Sequence, residues 1–125
     1  MRVFIYFNLH RKCYSVKALE GADKGRVIAH CNSALVAGAT FKVSEAGRQR
    51  VIREKRKNVH AGVVGDWLGA EGFRISYITQ NGSAITYNPY RYSSFVHRYG
   101  EHPIERARLV ALTTHDKKPS IHIWD

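Results

Sequence analysis

A chain of 125 residues with 44% hydrophobic and 24% charged side chains can bury one core and is too apolar for a disordered tail. Twenty Lys and Arg against ten Asp and Glu give a formal charge of +10 and a pI near 10.0, which points to an anionic partner. Two cysteines exclude a disulfide framework, the apolar opening before Asn8 is too short for a signal-peptide core, and no apolar run approaches the roughly 18 residues of a membrane span. The expectation is a cytoplasmic protein with free thiols at Cys13 and Cys31.

Val3, Ile5 and Phe7 alternate with Phe4 and Tyr6, the pattern of a strand. The polar connection 9–12 leads to a second run over 13–19, and the two read as a hairpin. Residues 21–25 form a turn, 26–31 a third strand and 39–43 a fourth, with Gly38 punctuating its start. Ser44 suits a helix cap and Glu45 the positive end of the dipole, which predicts a helix over about 45–57 ending near Asn58. Residues 59–64 read as a strand. Residues 73–79 and 84–87 alternate on either side of Asn81-Gly82, a dipeptide whose tolerance of positive φ predicts a hairpin turn. Residues 88–100 read as irregular, with Pro89 interrupting any strand. A last hairpin is predicted from 106–113 and 120–124. The fold class expected is α+β: a single domain over 1–125, a twisted antiparallel sheet or small partly closed barrel of about eight short strands with one basic helix.

The charge is unevenly spread. Residues 41–60 hold seven basic and two acidic side chains, whereas residues 100–125 hold four of each. Six of the basic residues fall between 48 and 57: Arg48, Arg50, Arg53, Lys55, Arg56 and Lys57. At about 100° per residue, Arg50, Arg53 and Lys57 share one helix face with Arg56 beside it, while Val51 and Ile52 face a core. Arg48 and Lys55 flank that apolar stripe and can lay their stems along it. Such a ridge suits phosphate, through bidentate Arg contacts and counterion release. A solvated helix face and an acidic protein partner are the alternatives; a membrane surface fits poorly, because the stripe has no Trp, Phe or Leu to insert.

A second binding candidate is the segment 87–99, with four of the seven tyrosines. Tyr90, Arg91 and Tyr92 can stack unpaired bases or form a protein-binding patch, while Tyr87 and Phe95 also suit a core. No catalytic residue, metal site or cofactor is assigned. The ten acidic residues form no paired motif, and adjacent His30 and Cys31 on a strand would point to opposite faces. Seven histidines keep a metal-independent ribonuclease open, without fixing which pair would meet.

Arg56-Lys57-Asn58-Val59-His60-Ala61 and the run from Tyr87 to Val96 resemble short accessory proteins of tailed bacteriophages, over about the middle half of the chain. The resemblance implies a viral origin and action in the bacterial cytoplasm, and assigns no residue a role. The leading expectation is a non-enzymatic nucleic-acid-binding protein, for DNA or RNA. A phage inhibitor of a bacterial defence or host nucleoprotein complex is the second, and the small ribonuclease the third.

Overall fold

Alternating runs at the two ends of the chain pair into a single antiparallel sheet. The computed structural model describes residues 1–55, 61–69, 72–90, 94–99 and 102–125. Among these, the strands are β1 (Arg2–Asn8), β2 (Cys13–Ala18), β3 (Val27–Cys31), β4 (Ser33–Lys42), β5 (Gly62–Trp67), β6 (Ser83–Tyr87), β7 (Phe95–His97), β8 (Arg106–His115) and β9 (Lys118–Trp124). Two helices, α1 (Glu45–Glu54) and α2 (Gly72–Asn81), interrupt them. The order across the sheet is β3-β2-β1-β5-β4-β8-β9-β6-β7, every neighbour antiparallel. The α+β class read from the sequence is the observed one, with a second helix.

The sheet is open but strongly curled. The hydroxyl of Tyr14 in β2 donates to the carbonyl of Thr113 in β8 at 2.7 Å, although β1, β5 and β4 lie between them in the sheet. In a flat sheet four strand spacings would hold those strands about 19 Å apart. Curling turns Val3, Ile5, Val16, Val36, Val110 and Leu112 onto one concave, fully buried face. Each such burial stabilises by roughly 1.5–3 kcal/mol, so this face carries most of the fold. On the other face Leu35 and Ala111 meet Ile75 and Ile78 of α2.

Four local expectations are corrected. The run 73–79 is helical: Ile75 and Ile78, three apart, both reach the sheet, while Phe73 and Tyr77 face outward. Strand pairing would have placed Ile75 and Ile78 on opposite faces. Asn81-Gly82 closes this helix instead of turning a hairpin, with the Gly82 amide donating to the Ile78 carbonyl at 2.7 Å. Gly38 lies inside β4 rather than before it: its φ of +56° accommodates a bulge where the register to β5 shifts between Ala37 and Thr40. Helix α1 stops at Glu54, because Lys55 adopts a left-handed φ of 56°. Asn58 and Lys57, expected at its end, lie outside the described residues. So do Arg56, Arg91 and Tyr92.

Candidate functional site

The Ser44 hydroxyl caps α1 by accepting from the Gly47 amide at 3.2 Å, which fixes where the basic run enters the helix. Val51 is the helix's buried anchor. Arg48 follows it inward, with its side chain only 15% exposed and its guanidinium 3.1 Å from Glu45. The Gln49 side-chain amide, at 2.9 Å, and then Arg48 hold the Glu45 carboxyl below its ordinary range. Arg50 and Arg53, one turn apart, are exposed, and Arg50 meets Glu54 at 3.2 Å. An exposed pair of this kind stabilises by only about 0.3–0.5 kcal/mol, so an incoming phosphate can replace Glu54 at little cost. Lys55, expected along the apolar stripe, is exposed where the chain leaves the helix.

Beside Lys55 the curled sheet opens into a cavity of about 740 Å³. Its walls are apolar and aromatic, from Phe7, Tyr14, Ile85, Tyr87, Phe95 and Ile121. Exposed lysines rim it: Lys12 from the β1–β2 turn, Lys55 from the end of α1, Lys117 from the β8–β9 turn and Lys118 from the start of β9. Tyr90 stands at the same mouth, 66% exposed, its amide donating to Asn88 Oδ1 at 3.0 Å. Among the described residues, no carboxylate lines the cavity. Three rim lysines, Lys12, Lys55 and Lys117, have left-handed backbone at φ 58°, 56° and 62°. Glycine or asparagine is the usual choice there, and a bulkier residue costs about 1–2 kcal/mol. Positive charge at this mouth is therefore held against local backbone preference.

Inside, burial pushes the Tyr14 phenol far above its ordinary range, so it remains a neutral donor to Thr113. Burial also raises Tyr87, with the Arg48 charge opposing. The Tyr87 hydroxyl is buried and has no hydrogen-bond partner among the described residues. Tyr87 packs against Phe95, ring centroids 5.6 Å apart, and Phe95 against Phe41 at 4.9 Å. A separate hollow of about 440 Å³ brings together His97, Arg98, Tyr99 and His122. Burial, then the Arg98 charge, lowers the pKa of His122, so that ring is neutral at pH 7. These are the histidines that the fold gathers and the chain order did not. No group of three or more metal-ligating side chains occurs among the described residues.

Comparison with known proteins decides the lineage. The model of the Mycobacterium phage L5 gene 82 protein family matches residues 1–119. The chain belongs to the phage L5 gene 82 family. It is 46% identical to the gene 82 protein of Mycobacterium phage L5 over 121 residues, 90% of each chain. No solved structure matches it. The bacteriophage resemblance read from two short stretches thus extends over nearly the whole chain, and this is a phage protein. No helix among the described residues of this gene 82 family chain is long and apolar enough to cross a membrane.

In this family member the structure brings Lys55 and Tyr90 to one mouth, sets Arg50 and Arg53 on the adjoining helix, and turns Arg48 inward. Sequence reasoning missed Lys12, Lys117 and Lys118. Their one local signal is that each sits in or beside a tight polar turn between alternating strands, and Lys117 follows Asp116 in a turn with φ positive at both.

Proposed function

We propose that this phage protein is a non-enzymatic nucleic-acid-binding protein, acting in the bacterial host cytoplasm through one basic surface. The observation that supports it most is continuity. Lys55 belongs both to the end of α1, beside exposed Arg50 and Arg53, and to the lysine rim of an aromatic cavity. Phosphates laid along this surface would meet cations on both elements, and aromatic side chains where bases can stack.

The test is a salt titration of binding to duplex DNA, single-stranded DNA and RNA. Replacing Arg50→Ala, Arg53→Ala and Lys55→Gly together flattens the slope of log K against log salt by about two to three units. Lys55→Gly keeps the left-handed backbone while removing the charge. An unchanged slope would remove α1 from the interface, and absence of binding at low salt would overturn the reading. RNA cleavage in chelator, lost on His97→Asn or His122→Asn, would replace it with the ribonuclease.

A second reading, an inhibitor of a host or defence complex, is favoured by α2. Phe73, 86% exposed, and Tyr77, 48% exposed, stand four residues apart on one face. Nuclease-resistant capture of a bacterial protein, lost on Phe73→Ser, would support that reading; capture abolished by nuclease would support the first.

A further inference from the structure

Resting on the nucleic-acid reading and deepening it, we propose that the 740 Å³ cavity is a nucleotide site, holding one unpaired base with its phosphate on the lysine rim. The volume lies within the range of small-molecule sites, far above the few small voids of an ordinary core. Two properties choose the occupant. The half-buried rings of Phe7 and Tyr87 on its walls suit a flat aromatic ring. The rim adds four cations from three separate segments and no carboxylate among the described residues, a match for phosphates rather than for a single carboxylate head.

The surroundings extend the match. Tyr90, mostly exposed at the mouth, is placed to stack on a neighbouring base, while Arg50 and Arg53 continue the cationic track away from the rim. A base inside a duplex is stacked on both faces and cannot enter a cavity bounded by the sheet, so the site selects single-stranded, looped or extruded nucleotides. The left-handed lysines fit this use. Lys117→Gly would ease the turn and remove a phosphate contact, so it should leave the melting temperature unchanged or raised while weakening binding.

The experiment compares two duplexes carrying the same single-stranded overhang, one with bases and one abasic, so that phosphate number and salt dependence are equal. With the unmodified protein, the abasic overhang binds about tenfold more weakly or worse. Tyr90→Ala, at an exposed position that leaves the core intact, narrows the difference between the two overhangs without closing it, whereas the Arg50→Ala, Arg53→Ala variant weakens both alike. Equal affinity of the unmodified protein for the two overhangs would overturn the nucleotide site and leave the basic surface standing. Failure to bind either overhang at low salt would overturn the nucleic-acid reading. A nucleoside monophosphate then decides the cavity: saturable binding weakened in Lys117→Gly retains it as a site for free nucleotides, and no binding ends it.

Discussion

Gly62→Ala is expected to destabilise the protein by about 3 kcal/mol, the upper end of what overpacking costs. A β-carbon at Gly62 would collide with the Ile5 carbonyl oxygen, and would lie 3.0 Å from the Ile5 carbonyl carbon and 2.8 Å from the Phe4 ring. The ring can swing aside. The carbonyl cannot, because it belongs to β1 where β1 pairs with β5, and that pairing joins the two halves of the sheet. For a domain of this size the midpoint of thermal unfolding should fall by roughly 10–15 °C. Gly72→Ala is the control: nothing lies within 4 Å of a β-carbon there, its backbone is helical, and the change should be neutral or slightly stabilising. Equal behaviour of the two variants would mean that β1 and β5 do not approach as described.

Tyr14→Ala should cost more, about 3–5 kcal/mol, by removing a large side chain that is 1% exposed at the centre of the curl. The ring packs edge-on against Phe7 at 5.5 Å, and the hydroxyl reaches Thr113 across the concave face. Tyr14→Phe separates the contributions. It keeps the ring and forfeits the hydrogen bond, at about 1–2 kcal/mol. Denaturant unfolding of both variants measures the difference. A Phe variant as unstable as the Ala variant would assign the curl to the hydroxyl alone, and an Ala variant of full stability would contradict the curl. Because Tyr14 also lines the cavity, the Phe variant should bind nucleic acid nearly as well as the unmodified protein once folded.

Much of the sheet was legible because a strand with one buried face writes its period into the chain. Val3, Ile5 and Phe7, and the alternation on either side of the β8–β9 turn, are of this kind. The run at 73–79 misled because its residues alternate by chance while the buried pair, Ile75 and Ile78, follows helical spacing. Only the docking of α2 on Leu35 and Ala111 chooses between the two. Gly38 misled differently: glycine within a bulged strand and glycine before a strand look alike in sequence, and the shifted register to β5 is a tertiary fact.

The candidate site divides along the same line. A basic run is local, so Arg50, Arg53 and Lys55 could be read directly. The cavity is not local. Its lysines come from positions 12, 55, 117 and 118, and its walls from both halves of the chain. What unites them is the placement of β5 beside β1 and the curl that carries β2 toward β8. No spacing in the sequence encodes that meeting.

The most direct measurement is amide chemical-shift mapping of the protein titrated with a short single-stranded oligonucleotide at low salt. Binding through the basic surface should move the amides of Arg50, Arg53, Lys55, Lys12, Lys117 and Tyr90 together, and leave Phe73 and Tyr77 of α2 largely unmoved. Shifts confined to α2, or none at saturating oligonucleotide, would contradict the proposed interface.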